Sequence, residues 1–254
     1  MSYVGGKANS AQHILQVLNH PVFNGMDYVE PFVGYAHILR RVENKRSYAA
    51  SDANPLLMAL LRAVQRGKTI PHITAVEYDR LKHERGVSLR RAVAAFTYSF
   101  NGKEWGGYTA KYKGCASTGA RNPPDERRRY YDKLYENEQF CSARLSETSY
   151  IRLHPRHKLI YCDPPYEDTT GYRTGDFDHD RFWDTMRAWS RDNIVFVSEY
   201  KAPPDFVCVT KLKKQMSLRG AHHKETRIER LFTHRDCIPL IEERADYLDV
   251  EINW

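Results

Sequence analysis

The sequence is poor in cysteine and has no long hydrophobic run. Its five cysteines are odd in number, widely spaced and form no Cys-x-x-Cys pair, which argues against a disulfide framework or a zinc site. No apolar run approaches the length of a membrane span, and the opening MSYVGGKANS lacks the charged and apolar regions of a signal peptide. We therefore expect a soluble, intracellular (cytoplasmic) protein with reduced thiols, no membrane association and no required metal.

Acidic residues are fewer than basic ones, 32 against 39, so the chain of 254 residues carries a formal net charge of +7. This excess makes an anionic partner plausible, although by itself it mainly reports solubility and non-specific attraction. No internal repeat or low-complexity tract is present. With 41% hydrophobic residues, the chain can bury one large core, alone or with a sizeable insertion.

Two strand-turn-helix units stand near the start of the chain. Residues 27–33, DYVEPFV, predict a strand that ends in an acid and a proline, after which Gly34 opens a turn into a helix over residues 37–42. A second strand is predicted to end at Asp52 and to lead into a helix that stops near Gly67. Consecutive units of this kind predict an α/β fold with a parallel sheet and right-handed crossovers.

Further strands are predicted at KLIYC, ending at Cys162, and at NIVFVSEY, residues 193–200. The stretch between the second strand-turn-helix unit and the KLIYC strand breaks the alternation of strands and helices. It contains helical material and a Gly-rich basic loop, NGKEWGGYTAKYKG. We predict that residues 1–67 and 158–254 form the sheet domain and that residues 68–157 form an inserted, mainly helical lobe.

Acids stand at the ends of the predicted strands. In open α/β sheets ligands bind beyond the carboxyl ends of the strands, and a carboxylate at the second strand tip can accept both hydroxyls of a ribose. Glu30, Gly34 and Asp52 occupy the places of a nucleoside-cofactor site. The alternative is that Asp52 only caps the next helix.

The stretch YCDPPY ends another strand. Two adjacent prolines cannot continue a helix or lie in a central strand, because each lacks a donor N–H and has its φ fixed. Asp163 therefore stands at the carboxyl end of a buried strand, followed by Pro164, Pro165 and Tyr166.

Five motifs follow one another in a recognisable order: GGK at 5–7, EPFVGYA at 30–36, SDAN at 51–54, DPPY at 163–166 and VSEY at 197–200. Together they resemble the Dam-like DNA adenine-N6 methyltransferases over nearly the whole chain. The resemblance implies a Rossmann-like, S-adenosylmethionine-dependent methyltransferase sheet with helices on both faces and an inserted DNA target-recognition lobe. It also implies double-stranded DNA as the partner, and leaves open whether the protein is a monomer or a homodimer.

One residue departs from the family pattern F-x-G-x-G, since Ala36 stands at the second glycine. We expect cofactor binding to survive this change unless Ala36 requires a positive φ.

The resemblance assigns residues to two parts of the active site. The cofactor residues implied are Gly5, Gly6, Lys7, Glu30, Pro31, Phe32, Gly34, Asp52, Ala53 and Asp163. The catalytic residues are Asp163, Pro164, Pro165 and Tyr166. The exocyclic amine of adenine is a poor nucleophile, so acceptors at its two N–H groups, the Asp163 carboxylate and the Pro164 carbonyl, would direct its lone pair toward the methyl carbon. Tyr166 would stack on the flipped base.

Cations and aromatic rings alternate in the predicted lobe and suit contact with phosphates and a flipped base. The predicted DNA-binding residues are Lys103, Tyr108, Lys111, Lys113, Arg121, Arg127, Arg128, Arg129 and Arg173. The alternative for the arginine run is a solvated helix face balanced by Asp125 and Glu126.

Two other functions stay open. One is methyl transfer to another planar amine, such as RNA adenine, cytosine N4 or a protein amide; Asp163 argues against it, because those enzymes usually carry Asn or Ser at this position. The other is a catalytically silent DNA-binding protein, suggested by Ala36 and the basic lobe. The sequence indicates neither the recognised bases nor whether a restriction enzyme accompanies the protein.

Overall fold

The structure is a computed structural model that describes residues 11–110, 122–166, 177–215 and 226–252. These residues form one seven-stranded sheet in the order β3-β2-β1-β4-β5-β7-β6. The strands are β1 (Asp27–Glu30), β2 (Ser47–Asp52), β3 (Arg144–Glu147), β4 (Lys158–Cys162), β5 (Ile194–Glu199), β6 (Phe206–Gln215) and β7 (Thr226–His234). The first five are parallel, and β7 runs antiparallel to both of its neighbours, β5 and β6. The predicted α/β fold is confirmed.

Helices lie around this sheet. They are α1 (Ala11–Leu18), α2 (Pro55–Gln65), α3 (Ala75–His83), α4 (Leu89–Phe96), α5 (Pro123–Tyr135), α6 (Glu138–Ser142), α7 (His179–Trp189) and α8 (Cys237–Leu248). Helix α2 begins directly after the tip of β2. Its cap is Asn54, whose side-chain oxygen accepts hydrogen bonds from the N–H groups of Leu56 and Leu57 at 3.0 and 3.1 Å. Asp52 is therefore not the helix cap, and that alternative is wrong.

The helix predicted over residues 37–42 is much shorter than expected. Only a 3₁₀ helix, Leu39–Arg41, forms there. The backbone enters this stretch from a left-handed residue, Ala36, and Val42 is already extended, so no second turn can follow.

The predicted lobe contains a strand of the sheet, so its boundary at residue 157 was drawn too late. Strand β3 pairs in parallel with β2, from Ala49 opposite Arg144 to Asp52 opposite Glu147. Its sequence, RLSE, gives little strand signal because it is short, charged at both ends and exposed at both ends. The rest of the predicted division remains a prediction.

The centre of the sheet is apolar and buried. The four residues from Leu159 to Cys162 on β4 have no exposed surface, and β5 is buried along its whole length. A parallel strand that is covered on both faces has a continuous hydrophobic sequence, and the apolar run of β4 fits that pattern. Strand β1 pairs in parallel with β2 on one side and β4 on the other, so the carboxyl ends of these three strands lie at one edge.

Candidate active site

The carboxyl edge of the sheet gathers three acids. Glu30 is the last residue of β1, Asp52 is the last residue of β2, and Asp163 directly follows β4. Strand β1 pairs with β2 on one side and β4 on the other, so the three acids come from adjacent strands. This is the edge at which open α/β sheets bind ligands.

Gly34 and Asp52 form a hydrogen-bonded turn at this edge. The Gly34 N–H donates to Oδ2 of Asp52 at 3.3 Å, and the Asn54 N–H donates to Oδ1 at 2.9 Å. Burial raises the pKa of Asp52, and hydrogen bonds from the backbone of Asn54, Gly34 and the exposed Ala53 partly oppose that shift. A carboxylate oxygen can accept more than one hydrogen bond, so Asp52 is held in place while keeping acceptor capacity.

The backbone at Gly34 also leaves room for a ligand. Its φ is +48°, and a side-chain methyl placed there would meet no atom within 4 Å. The turn therefore presents backbone to open space beside Asp52.

Ala36 adopts the conformation that the family's glycine would favour. Its φ is +57° and it is fully buried. A left-handed backbone costs an alanine about 1 kcal/mol relative to its normal conformations. The N–H of Ala36 donates to the Val33 carbonyl at 2.8 Å, which closes the turn despite that cost. We expected cofactor binding to survive the change to alanine unless Ala36 required a positive φ, and Ala36 does adopt a positive φ.

Glu30 points into the protein. It is 2% exposed, and its Oε2 accepts a hydrogen bond from the Tyr28 hydroxyl at 2.7 Å. Burial raises the pKa of Glu30 well above its usual range, and the negative charge of Asp163 raises it further. The charge of Asp163 is therefore felt at Glu30, whose carboxyl group is turned toward Tyr28.

The DPPY motif lies where the sequence places it, directly after β4. Pro164 is buried, and Asp163, Pro165 and Tyr166 are half-buried. Burial raises the pKa of Tyr166 well above its usual range, with further contributions from the charges of Asp163 and Glu229. The tyrosine is thus neutral at physiological pH and remains a hydrogen-bond donor.

Two residues from later strands meet Tyr166. Its hydroxyl donates to Oε1 of Glu229 on β7 at 2.6 Å, and its ring meets the ring of Tyr200 edge-on, with centroids 4.8 Å apart. Tyr200 belongs to the VSEY motif, whereas sequence reasoning missed Glu229. The signal in the sequence was the spacing of Glu229, which alternates along β7 with Leu231 and Thr233. Alternate residues of a strand share a face, and Leu231 and Thr233 are buried, so this spacing places the acid on the buried face.

Glu104 was also missed. The Asn54 side-chain amide donates to Oε2 of Glu104 at 2.7 Å, and the charge of Glu104 contributes to the raised pKa of Asp52, after burial. The Tyr35 hydroxyl donates to the Gly102 carbonyl at 3.2 Å. The loop that carries Glu104 therefore touches the Asp52 turn, a contact between distant segments that no local pattern shows.

Two other predicted cofactor residues lie in the first turn. Pro31 is buried directly after β1. Phe32 is half-buried in an aromatic cluster, with ring centroids 5.3 Å from Tyr150 and 5.9 Å from Phe182. Their part in cofactor binding stays a prediction.

The arginine run divides between interior and surface. Arg127 is 5% exposed and donates to the Thr97 carbonyl at 2.6 Å, so its prediction as a phosphate contact, and the alternative of a solvated face, are both wrong for this residue. Arg128 lies over the ring of Tyr98, 5.3 Å from its centroid, and is half-buried. Arg129 is exposed. A helix period of 3.6 residues makes three neighbours face three directions.

The remaining predicted DNA residues differ in exposure. Lys103 is exposed, and Tyr108 is half-buried with its ring stacked on Tyr98. Other predicted residues lie outside the described residues: Gly5, Gly6, Lys7, Lys111, Lys113, Arg121 and Arg173.

Within the described ranges, no helix is long and apolar enough to cross a membrane. The same part of the chain contains no group of three or more His, Cys, Asp or Glu side chains arranged to hold a metal ion.

The strand order, with five parallel strands and acids at their carboxyl edge, is that of a Rossmann-like α/β sheet. Residues 3–88 match the sequence model of the family described as D12 class N6 adenine-specific DNA methyltransferase. This match includes the GGK, EPFVGYA and SDAN motifs and confirms the predicted resemblance; DPPY and VSEY lie beyond it. No curated protein matches the sequence significantly.

Solved structures give distant likenesses. An rRNA methyltransferase, AviRa, from Streptomyces viridochromogenes is 14% identical, with a TM-score of 0.42 over 91% of this chain and 86% of the other. A proposed methyltransferase, YhhF, from Escherichia coli is 8% identical, with a TM-score of 0.40 over 92% and 90%.

Proposed function

We propose that this protein is a site-specific DNA methyltransferase that transfers a methyl group from S-adenosylmethionine to the N6 amine of a flipped adenine in duplex DNA. The observation that carries the proposal is the position of Asp163-Pro-Pro-Tyr166, directly after the central strand β4 and on the same edge as Glu30 and Asp52. The family match over residues 3–88 supports the choice of adenine and DNA.

The cofactor called for by this fold and family is S-adenosylmethionine, and the residues present fit it. Asp52 is a strand-tip carboxylate whose orientation is fixed by two backbone N–H groups, as a ribose ligand requires. Gly34 leaves open space where the cofactor would approach the backbone. When bound, S-adenosylmethionine supplies a methyl group that its sulfonium already activates.

Asp163 and Pro164 act on the amine in this proposal. The Asp163 carboxylate and the Pro164 carbonyl accept the two N–H groups, which favours a pyramidal nitrogen with its lone pair directed at the methyl carbon. The carboxylate also stabilises the positive charge that develops on nitrogen, a preorganised electrostatic effect. Neither Pro164 nor Pro165 has a backbone N–H to compete for these acceptors.

Tyr166 provides the ring for the target base. The amine of adenine lies inside the duplex, so the base has to leave the stack before the methyl group can reach it. The charge of Asp163 reaches Tyr166, whose pKa it raises after burial, and the Tyr166 ring already meets Tyr200 edge-on. A flipped base stacked on Tyr166 would bring its amine to Asp163.

For the DNA partner, the exposed residues Lys103 and Arg129 remain candidates for phosphate contacts. Arg129→Gln should lower DNA affinity and reduce the log-log salt slope by about 0.9, the contribution of one phosphate contact. Arg127→Met is the matched control, because it removes a buried cation and should change stability without changing that slope. An unchanged slope in Arg129→Gln would make Arg129 a solvated surface residue.

The direct test is methyl transfer with labelled S-adenosylmethionine. The purified protein is incubated with duplex DNA of mixed sequence and, in parallel, with RNA, and the modified bases are mapped. We expect N6-methyladenine in DNA at defined sites. Label in cytosine or RNA would assign the site to another planar amine, and the absence of label with DNA binding intact would identify a silent binding protein.

A further inference from the structure

We infer that Glu229 is a positioning residue that holds the Tyr166 ring in the orientation that receives the target base. This inference rests on the proposed function and deepens it. Glu229 lies on β7, two strands away from β4 in the sheet, and more than 60 residues after the DPPY motif in the sequence. It belongs to none of the five family motifs.

The contact between the two side chains is short and joins a half-buried tyrosine to a buried carboxylate. The Tyr166 hydroxyl donates to Oε1 of Glu229 at 2.6 Å, within the range of hydrogen bonds from a hydroxyl to a carboxylate. Glu229 has no exposed surface. Such a bond is stronger than one between neutral groups, and the burial of the carboxylate limits competition from water.

The bond restrains the far end of the Tyr166 side chain, whose ring also meets Tyr200. Pro164 and Pro165 restrict the backbone before Tyr166, and the hydroxyl contact with Glu229 secures the far end of the side chain. These restraints fix the direction of the ring axis, and the edge-on contact with Tyr200 restricts rotation about it, so the ring face is held as a surface on which a base would stack.

Strands β7 and β5 also hold the backbone of the neighbouring Tyr200. Arg230, the residue after Glu229, donates to the Tyr200 carbonyl, and Oε1 of Glu199 accepts from the Tyr200 N–H at 2.7 Å. Tyr200 in turn meets the Tyr166 ring edge-on at 4.8 Å. Two consecutive residues of the antiparallel strand therefore support the two tyrosines of the site.

The buried carboxylate of Glu229 has a partner in the Tyr166 hydroxyl. A buried carboxylate costs free energy unless it is hydrogen-bonded, and an apolar side chain would fill the same position of β7 without that cost. What the carboxylate adds is an acceptor aimed at the Tyr166 hydroxyl.

The test compares Glu229→Ala, Glu229→Gln, Tyr166→Phe and the double variant Tyr166→Phe/Glu229→Ala. Base flipping is followed with 2-aminopurine at the target position, and kcat and KM for DNA are measured. We expect Glu229→Ala and Tyr166→Phe each to raise KM roughly tenfold with a smaller change in kcat, since the ring loses its orientation and not its acceptors. The double variant should be no worse than the poorer single variant, because both changes remove one bond. Glu229→Gln keeps an acceptor and should recover most of the loss.

A matched control separates positioning from stability. Tyr131→Phe also removes a buried tyrosine hydroxyl, one that lies 3.0 Å from Oγ1 of Thr97 in the helical region. It should lower thermal stability and leave KM and kcat unchanged. Additive effects in the double variant, or no rescue by Glu229→Gln in a folded protein, would overturn the inference.

A second measurement does not depend on activity. 2-Fluorotyrosine placed at position 166 should give one narrow fluorine resonance that shifts or broadens in Glu229→Ala but not in Tyr131→Phe. No change in Glu229→Ala would overturn the inference even if the protein methylates DNA. If wild-type protein methylates no adenine while this resonance responds, the proposed function fails and the contact itself stands.

Discussion

The two ends of strand β1 carry acids in opposite environments. At the amino end, Asp27 is surrounded by partners: Arg46 Nε donates to Oδ1 at 2.8 Å, Ser47 Oγ to the same oxygen at 2.7 Å, and Lys158 Nζ to Oδ2 at 2.6 Å. These contacts, with the hydrogen bond from Arg46 the largest, hold the pKa of Asp27 well below its usual range. They join the starts of β1, β2 and β4.

At the carboxyl end, Glu30 contacts a neutral hydroxyl, that of Tyr28, and its pKa is raised by burial. Asp52, on the next strand, also has a raised pKa, again mainly through burial. Among the described residues, the ion pairs of the structure include neither Glu30 nor Asp52. The acid at the amino end of β1 is thus held by ion pairs that join three strands, whereas Glu30 and Asp52 at the carboxyl edge take part in no such pair within the described part of the chain, as the proposed function requires.

The sharpest test of this contrast is Asp163. Asp163→Ala should abolish detectable methyl transfer, and Asp163→Asn should lower the single-turnover rate by more than tenfold, or over about 1.4 kcal/mol of barrier, since the charge that stabilises the developing cation is lost. Asp27→Asn, the amino-end counterpart, should keep the wild-type rate while folded. Wild-type turnover by Asp163→Asn would mean that the DPPY turn serves structure or binding only.

The next effect concerns the cofactor. Asp52→Ala should weaken binding of S-adenosylmethionine by about 3 kcal/mol, the scale of two lost hydrogen bonds to a charged acceptor. Calorimetric titration measures this, with a thermal melt to show that the turn at Gly34 still folds. Cofactor affinity equal to that of wild type would remove Asp52 from the site.

Substitution of Asp27 should lower stability and leave activity unchanged. Asp27→Asn should lower the free energy of unfolding by about 2 kcal/mol at neutral pH, because it leaves the charged groups around it with a weaker acceptor. The lowered pKa means that unfolded chains bind a proton more readily, so this stability is present above about pH 4 and is lost as the pH falls further. Denaturant unfolding at several pH values would show it. A variant with the pH profile of wild type would contradict the assignment.

Substitution of Glu30 should change the free energy of unfolding least, and should raise it where substitution of Asp27 lowers it. Its raised pKa means that the folded state binds the proton more tightly, so its contribution to stability falls as the pH rises above about 4.3, the value of an unfolded glutamate. Glu30→Gln should therefore remove a pH-dependent loss and raise the free energy of unfolding at neutral pH by about 1 kcal/mol. The same unfolding series detects it. A fall in stability at neutral pH would show that ionised Glu30 is stabilised in the fold.

What the sequence by itself determined is local in origin. Strand-turn-helix order predicts a parallel sheet, and a parallel sheet brings every strand end to one edge, so the positions of Asp52 and Asp163 follow from neighbouring residues alone. Two prolines after an apolar run end a strand in any context. For these reasons the α/β fold and the place of the DPPY motif could be predicted without the structure.

What only the tertiary structure decided depends on residues far apart in the chain. The left-handed backbone of Ala36 is set by the turn that closes behind β1, and the burial of Arg127 by the Thr97 carbonyl 30 residues earlier. Strand β3 exists because β2 offers a free edge, and Glu229 meets Tyr166 across 63 residues of sequence. The sequence does not show whether a charged side chain lies in solvent or in the core, because only its contacts in the folded chain decide its burial.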